Sequence, residues 1–451
     1  MLSRITVDEL QRKEVHAYAP TQGAPASPLT RTPRASRILD AQPIAGVLTQ
    51  HMEGASFLWG VRDLACNWPH YTVRDLARLD GRVEAHLDGL RIAGDHGLQH
   101  CLAELGWQQP GEIFAASVLA LAARDENALA QVSAAIAKRP ALARGLVSAI
   151  GWSSFSEVEA RITRLAGSTT PWKQRAGIAG FAVHRRDPGE LLNAALQAES
   201  PWVRARALRA AGELGRTDVV PLLAESLWSR DAECAFWAAW ATALLAGYTR
   251  SLERLQEIAE QAGPFQERAF SLALRCLPRN QALAWLKRVA AQSPRLGVIG
   301  AGVLGDPVLI PDLVEQMGTP ALARVAGEAF TMITGADLVR EQLEGAQPEG
   351  FVVGPTDDPK DEDVSLDPDE RLPWPNPSLV TAWFRRCGND LPPGTRLLLG
   401  RPLHPKSLQT VLREGRQRQR AAAALELVLL QRGTPLPELR APGFEQERGV
   451  R

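Results

Sequence analysis

The chain has 451 residues, with 51 Lys+Arg against 51 Asp+Glu and a sequence pI near 7.1. That balance argues against a strongly basic nucleic-acid binder, although a local basic patch stays possible. Five dispersed cysteines without a CxxC argue against a disulfide framework or a zinc site, and fit a reducing compartment.

Residues 1–42 are rich in Ala, Pro, Ser and Thr and predict a flexible lead-in. The opening MLSRITVDELQRKEV has no apolar core followed by a cleavage site, so no signal peptide is expected. The longest apolar run, Ala235 to Gly247, is too short to span a bilayer. A cytoplasmic protein without membrane segments is the expectation.

Residues 43–108 predict a helical N-terminal cap. IAGVLTQHMEGASFLWGVRDLA carries Val47, Met52, Phe57, Leu58 and Leu64 among its apolar positions. Trp68-Pro69 interrupts it, and a second helix opens at Thr72 with Asp75 as the acid of a capping box. Val73, Leu76, Leu79, Val83, Leu87 and Leu90 form its buried stripe. Arg74, Arg78 and Arg82 stand in one i,i+4 column; Asp80, Glu84 and Asp88 stand in another. Like charges so placed cost an isolated helix roughly 0.2–0.5 kcal/mol per pair. The columns therefore read either as a solvated face or as a basic stripe that meets an acidic partner.

Residues 109–340 repeat. Pro110, Pro140, Pro171 and Pro201 each precede a helical pattern, Asp231 holds the next place, and Pro264, Pro294 and Pro320 follow. Proline suits the first helical turn, where its missing amide would be unpaired anyway. In PWVRARALRAAGELGRTDVVPLLAESL (residues 201–227) two helices flank a turn at Gly215, and such a pair must stack on neighbours to bury its apolar faces. The pattern predicts an all-α solenoid of about eight short helix pairs with helical caps at both ends.

Residues 341–375 read as an acidic linker, with Asp357, Asp358, Asp361, Glu362, Asp363, Asp367, Asp369 and Glu370. A solvated tether and a fold-back onto a basic face both fit it. Residues 376–451 predict a C-terminal helical cap. There Ser378 caps one helix, PPGTRLLLG turns, and Ser407 opens one long helix.

Catalytic motifs are missing. There is no HExxH, GxSxG, P-loop or dinucleotide fingerprint, and His86, His96, His100 and Cys101 lack metal-ligand spacing. No metal or cofactor is expected. Trp172, Trp202, Trp237, Trp240 and Trp285 fall at core positions or helix starts.

PWVRARALRAAGELG, through Pro201, Val203, Arg204, Ala207, Ala210, Leu214 and Gly215, resembles the first helix of a HEAT-like repeat of the phycobilin-lyase type. Deoxyhypusine hydroxylase, an enzyme on this kind of repeat, holds iron through His-Glu dipeptides, and this chain has none. Outside the repeats, SFLWGVRDLA (56–65), RDLARLDGRVEAHLDGLRIAG (74–94) and PGTRLLLGRPLHPKSLQTVLREGRQRQRAAAALEL (393–427) resemble an uncharacterised proteobacterial family of HEAT-like repeat proteins. Its members are often encoded near type VI secretion components. The resemblance implies a non-catalytic adaptor whose partner is a secreted effector or a PAAR-like spike protein. A nucleic-acid-binding or DNA-repair role and a lyase-type small-molecule enzyme remain the alternatives. Trp59, Arg62, Arg74, Arg78, Asp80, Arg82, His86, Asp88 and Arg91 are the candidate partner-binding residues. The competing reading makes them a buried polar network locking the N-terminal helices, with Arg62 paired to Asp80 or Asp88.

Overall fold

The spacing of the prolines is the spacing of one layer of helices. The computed structural model describes residues 42–351, 353–354 and 367–449, and residues 1–44 and 45–451 form two separate units. The lead-in expected over residues 1–42 lies outside the described residues save for its last position, as do Asp357, Asp358, Asp361, Glu362 and Asp363.

The second unit opens with α1 (Ala45–Ala65), α2 (Val73–Ile92) and α3 (Asp95–Ala103). Thr72 and Asp75 make the expected capping box, which ties down backbone amides that would otherwise be unpaired. Leu76, Leu79, Val83, Leu87 and Leu90 are buried, whereas Phe57 and Leu64 are half exposed rather than packed.

Eight helix pairs follow. Their first helices are α4 (Pro110–Ala123), α6 (Ala143–Trp152), α8 (Pro171–Val183), α10 (Pro201–Leu214), α12 (Ala232–Leu245), α14 (Gln266–Cys276), α16 (Pro294–Leu304) and α18 (Pro320–Thr334). Each packs on the next to form an inner layer. The outer layer holds α5 (Glu126–Lys138), α7 (Phe155–Ala166), α9 (Glu190–Leu196), α11 (Val220–Glu225), α13 (Thr249–Ala259), α15 (Arg279–Gln292) and α17 (Ile310–Gln316). Asp231 replaces the proline by accepting from the Cys234 amide at 2.8 Å. Inner helices bury nearly every side of their surface, so they run apolar all round, as Phe236 to Leu245 does.

The eighth outer helix comes from the region expected to be a separate cap. α19 (Pro377–Cys387) lies beside α17, and its Trp383 meets Phe330 of α18 edge-on. Asn376, not Ser378, caps it, because Pro377 occupies the first helical place. The predicted long helix from Ser407 is two, α20 (Pro405–Glu414) and α21 (Gln417–Leu430). They break at Gly415 because Arg416 bridges to Thr72 and the Gln417 amide donates to Tyr71 O at 2.7 Å. A short hairpin, β1 (Leu397–Leu398) with β2 (Arg401–Pro402), precedes them, and α22 (Gly443–Gly449) follows.

These last residues form a strap that runs back along the array. An α-helix ends in carbonyls with no intrahelical donor, and the strap supplies donors to one inner helix after another. The Leu397 amide donates to Gly305 O at 2.8 Å and the Gly400 amide to Ile333 O at 2.9 Å. Arg432 donates to Ala243 O and Leu244 O at 2.6 and 2.7 Å, which also sets a cation at the negative end of α12. The Leu436 amide donates to Glu213 O at 2.8 Å, and α22 closes on α2. Gly215 and Gly305 combine positive φ with this close passage. A Cβ there would lie 2.4 Å from Gly433 O or 2.2 Å from Leu397 O.

The acidic stretch also docks where it is described. Arg295 holds Asp369 through two bonds of 2.7 Å, and Arg324 reaches Asp367 at 2.5 Å. Residues 367–369 therefore sit on the inner helices of the seventh and eighth pairs, away from the Arg74–Arg82 column.

Candidate functional site

The inner helices α6, α8, α10 and α14, with α1 and the strap, enclose a cavity of about 710 Å³. Its lining holds Arg62, Arg144, Arg175, Arg206, Arg209, Arg268 and Arg440, seven arginines against the three carboxylates of Asp63, Glu213 and Glu438. Trp59, Trp152 and Trp202 lie behind them. A second cavity of about 440 Å³ continues past Arg268 and Asn67, which line both, toward α16 and α18. Arg418 closes that end, donating to Asn67 O at 3.1 Å and to Glu328 at 2.7 Å.

Most of these arginines lie over indole faces, a favourable cation–π arrangement. Arg144 stands 5.2 Å from the Trp59 ring, Arg62 5.2 Å from Trp152, Arg175 4.7 Å from Trp202 and Arg209 4.8 Å from Trp237.

At the centre, Glu213 accepts from Arg209 Nε at 2.7 Å and faces Arg206 Nη1 at 3.0 Å. Burial alone would raise this carboxyl, yet Arg206, Arg209 and Arg185 hold it down at about 2. Arg206 is pushed down to about 10 by burial, with Glu213 opposing and Arg209 and Arg175 adding to the shift. Arg268 is lowered by burial and by Arg209, and has no ion pair among the described residues. The other six lining arginines have carboxylate partners, Arg62 and Arg175 through Asp80 and Glu233 outside the lining, so among the described residues it is at Arg268 that the cavity offers a free cation to an anionic ligand.

Acid–base chemistry has little support in the same lining. It contains no histidine or cysteine, and its carboxylates are held by arginines: Asp63 by Arg144 at 3.1 Å, Glu438 by Arg185 at 2.8 Å.

The candidates named from sequence fall into two groups. Trp59 and Arg62 line the large cavity, Trp59 donating to Ser148 Oγ at 2.7 Å. Arg62 donates to Asp80 at 2.8 Å and to Ala441 O at 2.9 Å, while the other Asp80 oxygen accepts from the Gly443 amide at 2.5 Å. That buried pair joins α1, α2 and the strap. Arg62 is not paired with Asp88, which binds Arg91 at 2.6 Å; Arg91 also holds Glu84 at 2.6 Å. Arg74, Arg78 and Arg82 are exposed on α2 and line neither cavity, Arg78 pairing with Asp75 at 3.2 Å. The His86 ring packs on Gly54 and edge-on to His51.

Sequence reasoning passed over Arg144, Arg175, Arg206, Arg209, Arg268 and Arg440. Lone arginines in amphipathic helices read as solvent-facing until the curvature of the array is known.

His70 makes the join between α1, α2 and α21 sensitive to pH. It stacks on Trp68, and burial with Arg371, Arg416 and Arg418 pushes it down to about 4, Asp75 opposing. A folded-state value below the ordinary 6.5 means the unfolded chain binds the proton more readily. Stability is therefore lost as pH falls from about 6.5 to about 4. Thermal melts at pH 7 and pH 5 are expected to differ less for His70→Gln than for the parent; equal differences would contradict this.

A family model describing HEAT repeats matches residues 188–275, from α9 to the end of α14. That stretch of the array is similar to HEAT repeats. No curated protein and no solved structure matches the chain. Among the described residues, no helix of this HEAT-like array is long and apolar enough to cross a membrane.

Proposed function

We propose that this chain is a non-catalytic, cytoplasmic scaffold that holds a protein partner against the inner face of its solenoid. The observation that carries the reading is the large cavity, where seven arginines face three carboxylates and neither a histidine nor a cysteine lines the wall. HEAT-like arrays commonly serve as protein-interaction scaffolds, and their stacked units offer one extended curved surface. The resemblance of the terminal segments to a family linked with type VI secretion suggests the partner: a secreted effector or a PAAR-like spike protein, with this chain as its adaptor.

A nucleic-acid ligand is the second reading, favoured by the positive lining and its tryptophans. Against it, the guanidinium groups already cover indole faces on which bases would stack. The exposed Arg74, Arg78 and Arg82 remain a competing protein-contact face.

The test is affinity capture of the tagged chain from its native cells, in three forms. The parent is expected to recover one secreted or spike-like protein. Arg144→Glu/Arg175→Glu/Arg268→Glu should lose it, while Arg74→Glu/Arg78→Glu/Arg82→Glu should keep it. Loss only in the second set would move the contact to α2. A folded parent that recovers no protein would end the scaffold reading.

A further inference from the structure

We infer that the inner face is a track for an extended acidic peptide, read by arginines on several of its inner helices. This deepens the scaffold reading and rests on it. Arg144, Arg175, Arg268 and Arg324 each stand four residues after a unit-opening proline, at Pro140, Pro171, Pro264 and Pro320. They therefore hold the same place in the second, third, sixth and eighth units. In the first, fourth, fifth and seventh units that place is Phe114, Ala205, Ala235 and Val298, and Arg209 of the fourth inner helix reaches over Trp237 of the fifth.

The chain already shows the binding mode at one end of the row. Asp369 is gripped by Arg295 of the seventh unit through two bonds of 2.7 Å. Asp367 is held by Arg324 of the eighth at 2.5 Å, and Arg324 also donates to Asp369 O at 3.0 Å. Arg324 is itself backed by Trp374 at 4.6 Å, as Arg144 and Arg175 are backed by Trp59 and Trp202. An Asp-x-Asp segment thus takes one carboxylate per unit and runs against the order of the repeats. Bidentate carboxylate recognition of this kind is specific to the planar guanidinium.

The remaining rungs have the geometry without the peptide. Packed helices stand about 8–10 Å apart, and an extended chain advances about 3.3 Å per residue. One carboxylate every two or three residues would keep step with the row. Arg268 has no ion pair among the described residues, while Arg144 and Arg175 are paired with Asp63 at 3.1 Å and Glu233 at 3.2 Å, carboxylates that an incoming peptide would displace. Carboxylates are favoured over phosphates because the occupied rungs hold carboxylates, and because indoles covered by guanidinium groups offer no base-stacking platform.

The experiment measures binding of the full-length chain by fluorescence anisotropy. The probes are a labelled 12-residue peptide with Asp at every third position, its Asn counterpart, and a 12-nucleotide oligothymidylate. Saturable binding of the Asp peptide alone is expected, weakened by salt. Arg268→Ala and Arg144→Ala should each weaken it about tenfold, and Arg288→Ala, on the outer helix α15, should leave it unchanged. Circular dichroism checks that each variant is folded, and Arg144, largely exposed, serves should Arg268→Ala fail to fold. Equal binding of the Asn peptide, indifference to both substitutions, or tighter binding of the oligonucleotide would overturn the track. Absence of peptide binding by a folded chain that still captures a partner would overturn the track and leave the scaffold standing.

Discussion

Replacing Glu213 by Gln is expected to lower the stability of the array by roughly 3–5 kcal/mol, the usual cost of removing one partner from a buried ion pair. Glu213 is 5% exposed and sits among Arg206, Arg209 and Arg185. The amide keeps the shape and the hydrogen-bonding oxygen but removes the charge that makes a buried Arg206 tolerable. The carboxyl is held near 2, below its ordinary 4.5, so its contribution is present above about 4.5 and lost as pH falls toward about 2. Urea unfolding followed by circular dichroism checks the size of the effect. A second substitution, Arg206→Met, should restore part of the loss by removing the stranded cation, since the two residues share one network. A Glu213→Gln chain as stable as the parent would show that the arginines are solvated rather than buried.

Asp80→Ala is expected to cost a similar roughly 3–5 kcal/mol and to free the end of the strap. It strands Arg62, 3% exposed, and removes the acceptor of the Gly443 amide, so α22 loses its anchor on α2. Hydrogen exchange should rise across residues 441–449 before it rises in the repeats. Asp88→Ala is the control: Asp88 is an exposed partner of Arg91, and such pairs contribute about 0–1 kcal/mol. Equal effects from the two substitutions would mean the strap is not fastened through Asp80.

The repeat was legible because it is written locally. Proline at the first turn, apolar periodicity and a glycine after the helix each depend on a few neighbouring residues, and eight copies reinforce one another. The capping box at Thr72 could be read for the same reason, from three-residue spacing, whereas the partner of Arg62 was narrowed only to Asp80 or Asp88, two acids on one adjacent helix, and the structure shows Asp80. The strap was not legible, because its partners lie hundreds of residues away. Nothing near Leu436 announces the carbonyl of Glu213, and nothing near Gly415 announces that Tyr71 and Thr72 will draw the backbone out of a helix. The inner-face arginines were hidden for a related reason. Arg268 follows Pro264 as Arg175 follows Pro171, but periodic charge reads as a solvated face until the array curls and brings Asn67 and Arg268 into both cavities. Aligning the units on their prolines would have exposed the row.

The measurement that bears most directly on the scaffold is site-specific photocrosslinking in native cells. One photoreactive side chain replaces Val147, which lines the cavity on the inner face; another replaces Arg288, which is exposed on α15 and paired with Glu260. A protein partner held inside the curve of the array predicts one discrete adduct from position 147 and none from position 288. Adducts from position 288 alone, with position 147 silent in a folded chain, would contradict it.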